Sequence, residues 1–106
     1  MKKLRSEEMN LLFEAVLSLK TVDECHLFFE DICTIKELQS LVQRFQVACQ
    51  LDAGGNYNAV SEDTGASSAT ISRVNKCLLY GGGYQTALER LKKAGRIPNG
   101  SNGTEK

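Results

Sequence analysis

The fold is decided by residues 57–76, which read YNAVSEDTGASSATISRVNK. Gly65 stands near the middle of this stretch and can supply the positive φ that a tight turn between two helices requires. Two residues later, Ser67 is placed to cap the helix that follows. This pattern predicts a helix-turn-helix over about 57–79, and the alternative is an ordinary helical hairpin.

The apolar residues of the stretch are spaced so that they can hold two crossed helices together. They are Val60, Ala66, Ile71 and Val74. Ser61 falls where the two helices approach most closely, and that position needs a small side chain. In a helix-turn-helix the second helix enters the major groove of DNA, so the stretch indicates a DNA-binding protein.

The second helix would present mostly small polar side chains to the groove. Serine can bond several base edges, alanine can touch a thymine methyl, and arginine and lysine read guanine strongly. Side chains at the start of the first helix could reach backbone phosphates. The predicted DNA-binding residues are Tyr57, Asn58, Ser67, Ser68, Ala69, Ser72, Arg73 and Lys76. The alternative is a polar helix face that contacts nothing.

Size and charge fit one small domain with a weak electrostatic preference for DNA. The 106 residues suit a single domain, and the net charge is zero, which is awkward for a protein that binds phosphates. Residues 1–53 carry 6 basic and 9 acidic side chains, and residues 54–106 carry 7 basic and 4 acidic ones. The half that contains the motif is therefore positive, and we expect a modest affinity for double-stranded DNA.

The rest of the chain shows helical periodicity almost throughout. Ser6 is placed to cap a first helix, and Thr21 and Thr34 each open a capping box with a glutamate three residues later. The third helix is predicted to run to about Asp52, and a short helix is predicted near 85–94. No strand periodicity occurs, so the predicted fold class is all-α.

The first three helices carry more apolar side chains than one small core can use. Their predicted stripes are Met9, Leu12, Phe13, Val16 and Leu17; Cys25, Phe28, Phe29 and Ile32; and Leu38, Leu41, Val42, Phe45, Ala48 and Cys49. A helix-turn-helix protein also usually reads two half-sites one helical turn apart. We therefore expect a homodimer, and the alternative is a monomer with scattered exposed leucines.

The ends of the chain and its cysteines predict a cytoplasmic protein. Acidic residues follow the basic N-terminus where a signal peptide would be apolar, and no apolar run could span a membrane. Residues 96–106 are polar and glycine-rich, which predicts a disordered tail after a domain of residues 1–95. The cysteines have no metal-ligand spacing, so we expect no metal and reduced, mostly buried thiols. They are Cys25, Cys33, Cys49 and Cys77.

Two other classes of function compete with DNA binding. For an enzyme the sequence offers little, because His26 is the only histidine and Gly81–Gly83 lack the lysine and hydroxyl of a phosphate-binding loop. We therefore predict no enzymatic activity and no cofactor. The second rival is a protein-interaction module that has kept the helix-turn-helix fold without specific DNA binding, and the zero net charge favours it.

Four stretches resemble the trp repressor superfamily, most closely its YerC/YecD-type TrpR-related branch. They read LRSEE at 4–8, LSLKT at 17–21, FFEDICTIKE at 28–37 and GASSATISRVNKCL at 65–78. The resemblance covers roughly residues 4–93. It implies an intertwined helical homodimer with interlocking N-terminal helices and a helix-turn-helix on each flank. It also implies a bacterial transcriptional regulator that acts as a repressor.

The resemblance implies a ligand site as well. In trp repressors, tryptophan lies between the long central helix and the recognition helix, with an arginine on each side of its indole ring. Arg44 and Arg73 fall at those two positions, and Thr70 and Cys77 at further pocket positions. Arg73 is thereby contested between the ligand pocket and the DNA groove. Arg44 could equally be a solvated arginine or form a salt bridge between subunits.

Three departures from the repressors count against tryptophan as the ligand. Val74 stands where they have glycine, and Cys33 replaces a leucine at the pocket edge. Cys77 replaces the serine that would bind the amino group of the ligand, and a site built around a hydrogen bond loses much affinity when that partner is removed. Another small effector and no effector at all both remain open.

Overall fold

The structure, a computed structural model, describes residues 5–98 and shows an all-helical chain with no strand in that range. The predicted fold class is therefore confirmed. The six helices are α1 (Glu7–Leu17), α2 (Val22–Ile32), α3 (Ile35–Asp52), α4 (Tyr57–Thr64), α5 (Ser68–Tyr80) and α6 (Gly83–Lys93). Two compact units divide between Leu38 and Gln39, within α3. No helix of residues 5–98 is long and apolar enough to cross a membrane.

The first two helices begin at the side-chain caps that the sequence predicts. Ser6 Oγ accepts a hydrogen bond from the Met9 amide at 3.1 Å, and Thr21 Oγ1 accepts one from the Glu24 amide at 3.0 Å. Glu24 differs from a standard capping box, because its Oε1 accepts from the Lys20 amide at 2.7 Å. The side chain thus reaches one residue further back than the usual reciprocal bond.

Helix α3 begins at a complete capping box. The Glu37 amide donates to Thr34 Oγ1 at 3.1 Å, and the Thr34 amide donates to Glu37 Oε1 at 2.9 Å. Both bonds satisfy amides that the first helical turn leaves unpaired. The helix then runs to Asp52, where the sequence predicts its end.

The first unit buries none of its described side chains. Residues 5–38 include no buried position in the single chain, and Leu17 and Ile35 are 82% and 77% exposed. Phe28 and Phe29 lie half-buried with their rings edge to face, 5.5 Å between centroids. The apolar stripes predicted on α1 and α2 therefore do not form a core within one chain.

The core lies in the second unit and draws on every helix from α3 onward. Its members are Val47, Ala48, Val60, Ala66, Ile71, Val74, Leu78 and Leu88. Partly buried residues that pack against it include Phe45, whose ring stacks on Tyr84, and Ile97. Ile97 falls inside the segment predicted as a tail, so packing continues two residues past Gly95. Residues 1–4 and 99–106, and with them the rest of that prediction, lie outside the described range.

Candidate nucleic-acid interface

The turn between α4 and α5 has the conformation that the sequence predicts. Gly65 adopts a left-handed φ of 76°, and its amide donates to the Ser61 carbonyl at 2.8 Å. Ser61 Oγ donates to the Ala66 carbonyl at 2.9 Å, and the Ala66 amide donates to Thr64 Oγ1 at 3.1 Å. A small hydroxyl residue at Ser61 thus both fits the close approach and bonds across it.

The predicted apolar contacts of the helix-turn-helix are confirmed. All four of the residues expected to hold α4 and α5 together are at most 2% exposed, namely Val60, Ala66, Ile71 and Val74. They join Val47 and Ala48 of α3 in one cluster. The motif is therefore built onto α3, and its exposed face is fixed relative to that helix.

Two glutamines of α3 hold the motif from outside its apolar core, and sequence reasoning missed both. Gln43 Nε2 donates to the Thr64 carbonyl at 3.1 Å. Gln50 Nε2 donates to Asp63 Oδ2 at 2.6 Å. They are seven residues apart on α3, a spacing that returns to the same side of a helix, but nothing local in the sequence indicates their partners.

Ser67 caps α5 as predicted, and this limits its use for DNA. Its Oγ accepts from the Thr70 amide at 3.1 Å and donates to Thr70 Oγ1 at 3.2 Å. A hydroxyl has one donor and two acceptor positions, so a single lone pair remains for a base or phosphate. The main role of the Ser67 hydroxyl in the structure is therefore to cap α5, and contact with DNA is secondary.

The predicted base-reading residues share the solvent side of α5. The buried side of the helix consists of Ile71, Val74 and Leu78, at i, i+3 and i+7. Every other predicted position is exposed: Ser68, Ala69, Ser72, Arg73 and Lys76 on α5, and Tyr57 and Asn58 at the start of α4. None of the ion pairs of the described residues involves Arg73 or Lys76. Both cations are therefore available to an external anion.

The residues that the family resemblance assigns to a ligand site lie on α3 and α5. Thr70, Arg73 and Cys77 follow one flank of α5 at i, i+3 and i+7, with Thr70 half-buried and the other two exposed. Arg44 is half-buried on α3, and Val47 and Ala48 follow it by one turn on the same side of the helix. Arg44 therefore sits beside the face of α3 that packs into the core.

Val74 is in contact with the interior and not with solvent. It is 1% exposed and belongs to the core cluster, so its branched side chain occupies space that a glycine would leave empty. Cys33 lies half-exposed at the end of α2. Of the three departures from the repressors, Val74 in place of glycine therefore changes the volume of the packed interior.

The prediction that the thiols are mostly buried is wrong for the single chain. All four cysteines are free, Cys25 and Cys77 are exposed, and Cys33 and Cys49 are only partly buried. The periodicity places Cys25 on the apolar stripe of α2, but no residue of that helix is buried in the single chain. Cys77 lies off the line of Val74 and Leu78 that enters the core. Burial raises the pKa of the Cys49 thiol, and the Asp52 carboxylate raises it further.

Metal binding finds no support in the described part of the chain. Within residues 5–98, no three His, Cys, Asp or Glu side chains come close enough together to hold a metal ion. His26 is exposed on α2, 3.8 Å from Glu30 one turn later.

An all-helical chain with this capped turn and an exposed, cationic second helix is a helix-turn-helix protein. The chain belongs to the Trp repressor family, since the family model described as Trp repressor protein matches residues 7–92. This confirms the resemblance found in the sequence. The family is one of regulators and not of enzymes.

Relatives and solved structures agree with that assignment. An uncharacterized protein of Bacillus subtilis (strain 168), YerC, is 52% identical over 92 residues, covering 86% of this chain and 88% of YerC. A TrpR-like protein of Eubacterium eligens ATCC 27750 has a similar structure, with a TM-score of 0.82 and 52% identity over 86% of this chain and 95% of that one. A candidate Trp repressor of Staphylococcus aureus has a TM-score of 0.82 and 43% identity, over 86% and 92% of the two chains.

Proposed function

We propose that the protein is a sequence-specific DNA-binding transcriptional regulator, a repressor, that acts as a homodimer in the cytoplasm of a bacterium. The observation that carries the proposal is the solvent face of α5. It holds two cations and no acidic residue, on a helix whose other face is fully packed. A helix fixed in this way can enter a groove without reordering.

The roles of the side chains follow from their chemistry and position. Ser68, Ala69 and Ser72, in the first half of α5, are small enough to let the helix approach base edges closely. Arg73 is suited to bidentate contact with guanine, and Lys76, one turn later, to a phosphate. Tyr57 and Asn58 would reach phosphates from the start of α4, where both side chains are exposed.

The homodimer rests on the first unit. None of its described apolar side chains is buried in the single chain and several are exposed, with Leu17 and Ile35 the extreme cases. Exposed apolar patches of this kind mark surfaces that bind another protein. A second copy would cover them and supply the second helix-turn-helix that a two-half-site operator needs.

The pocket positions argue against tryptophan as the effector. Val74 fills interior space, and the thiol of Cys77 is a weaker hydrogen-bond partner than a hydroxyl. Arg44, Thr70, Arg73 and Cys77 remain the residues on which a different small effector would act. Control by such an effector is a proposal that rests on the family assignment.

Selection of bound duplexes from a random pool, with and without amino acids, tests the target and the effector together. We expect an enriched, two-fold symmetric site that is independent of added tryptophan. Titration of binding to random duplex against salt then separates the two classes of function, because phosphate contacts make DNA affinity fall with salt concentration. A protein-interaction module would give no enriched site and no salt-sensitive binding.

A further inference from the structure

The last residue of α5 exposes an aromatic side chain on the solvent side of the helix. Tyr80 is 82% exposed, and its neighbour Leu79 is 57% exposed. Tyr80 stands four residues after Lys76 and eight after Ser72, so the three side chains follow one line along α5. The tyrosine therefore extends the face that carries the predicted DNA contacts.

The backbone beneath Tyr80 is anchored. Leu78 is buried, and its carbonyl accepts a hydrogen bond from the side-chain amide of Gln85 in α6. The Gly81 amide donates to the Cys77 carbonyl at 2.8 Å and closes the last turn. A tyrosine on a fixed backbone has only two side-chain torsions to order, so it can contribute to binding at small entropic cost.

The length of α5 decides what Tyr80 can reach. Its 13 residues span about 20 Å at roughly 1.5 Å per residue. The major groove of B-DNA is only about 12 Å wide. If the N-terminal turns of the helix lie among the base edges, its C-terminal end lies at the rim of the groove, where the sugar-phosphate backbone runs.

Charge favours a phosphate as the partner. The sequence of α5 contains Arg73 and Lys76 and no aspartate or glutamate. The C-terminal end of a helix is the negative end of its dipole and disfavours an anion, but here Lys76 lies one turn before Tyr80 on the same face and no acidic side chain of α5 adds to the repulsion. A phenolic hydroxyl can donate to a phosphate oxygen, and hydrogen bonds to charged groups are stronger than neutral ones.

We propose that the hydroxyl of Tyr80 donates a hydrogen bond to a backbone phosphate at the rim of the major groove, and that Tyr80 thereby positions α5 on DNA. This rests on the proposed function, because it names a further contact of the same DNA interface. The contact would fix the depth and orientation of α5 without reading sequence.

The test compares wild type, Tyr80→Phe, Lys76→Ala and Leu79→Ala on the selected duplex and on random duplex, over a range of salt concentrations. Tyr80→Phe keeps the ring and removes only the hydroxyl. We expect its affinity to fall on the order of tenfold on both duplexes, the low end for a hydrogen bond to a charged group. The dependence of its affinity on salt should stay as in wild type, because no charge is lost. Lys76→Ala should reduce the salt slope by about one.

Leu79→Ala is the matched control, since it changes an exposed side chain next to Tyr80 and should bind as wild type does. Wild-type affinity of Tyr80→Phe, while wild type itself binds DNA, would overturn the inference and leave the proposed function standing. Wild type that binds no DNA would overturn the proposed function instead. A loss confined to the selected duplex would assign Tyr80 to a base and not to a phosphate. If Tyr80→Phe is monomeric in light scattering while wild type is a dimer, Tyr80 is assigned to a contact with a second copy of the chain and the inference is overturned.

Discussion

Arg73 is a candidate for two different roles, a contact with DNA and a contact with an effector. It lies one turn into α5, exposed, and it shares one flank of the helix with Thr70 and Cys77. From that position a long side chain can turn toward the groove or back along the flank toward α3. The sequence alone leaves both choices open because it fixes the position on the helix and not the direction of the guanidinium.

Replacement of Arg73 and Arg44 separates the two roles. We expect Arg73→Ala to cost about 1–3 kcal/mol of binding free energy on the selected site and to relax specificity there. Arg44→Ala should bind DNA nearly as wild type does. DNA affinities of both variants, with and without candidate effectors, are the measurement. Loss of an effector response in both variants, with unchanged affinity in its absence, would assign Arg73 to a ligand pocket.

Gly65 is the residue on which the turn depends, and its replacement should weaken the whole fold. Its φ of 76° is unfavourable for a residue with a side chain, so Gly65→Ala should lower the free energy of unfolding by about 1–2 kcal/mol. Crowding is not the cause, because an added Cβ would meet only Gln43 Nε2, at 3.9 Å. Denaturant unfolding measures the change.

Gly82→Ala is the control for that experiment. Gly82 has a φ of −117° and no atom within 4 Å of an added Cβ, so the same substitution there should change stability little. Equal losses in the two variants would contradict the explanation from backbone conformation.

At the scale of the helices, local sequence predicts most of what the structure contains. Ser6, Thr21, Thr34, Asn56 and Ser67 are caps because their side chains meet amides only three residues away. Polar contacts between distant helices were not predictable in this way. The amides of Gln43 and Gln50 find partners 21 and 13 residues away, and only the folded chain brings those groups together. The burial of the thiols was mispredicted for the same reason, because periodicity identifies the apolar face of a helix and not the element that covers it.

The ion pair between α6 and α3 is one of these long-range contacts, and it should stabilise the second unit. Lys92 Nζ lies 2.7 Å from Asp52 Oδ2, with both side chains mostly buried. We expect Lys92→Ala to cost up to about 1 kcal/mol of unfolding free energy, the upper range for an ion pair that retains some solvent. Lys93→Ala is the control, because Lys93 is well exposed and 4.0 Å from Glu89. Equal melting temperatures for the two variants would show that the pair adds nothing.

At the scale of the whole molecule, one chain contains two different kinds of surface. The second unit has a packed core, and the first unit has helices whose apolar side chains meet solvent in the single chain. The net charge of zero does little to keep such chains apart. In the proposed function, the first unit supplies the contacts between two copies and the second unit recognises DNA.

The molecular mass in solution tests this division of roles. Light scattering at micromolar concentration should give twice the 11.7 kDa of one chain. Leu17→Glu, which places a charge on the exposed apolar side of α1, should shift the mass toward one chain without loss of the helices seen by circular dichroism. Glu14→Gln changes a neighbouring exposed residue and should leave the mass unchanged. A wild-type monomer would remove the basis for recognition of two half-sites.

The turn of the helix-turn-helix also determines how the motif can move. The amides of Gly65 and Ala66 are both bonded inside the turn, and the Thr64 carbonyl is bonded to α3 through Gln43. Loop amides usually exchange their hydrogens with water quickly, whereas these two should exchange only when the surrounding structure opens. We therefore expect the turn not to act as a hinge between α4 and α5. For the proposed regulator, a signal that weakens DNA binding would then have to tilt the two helices together.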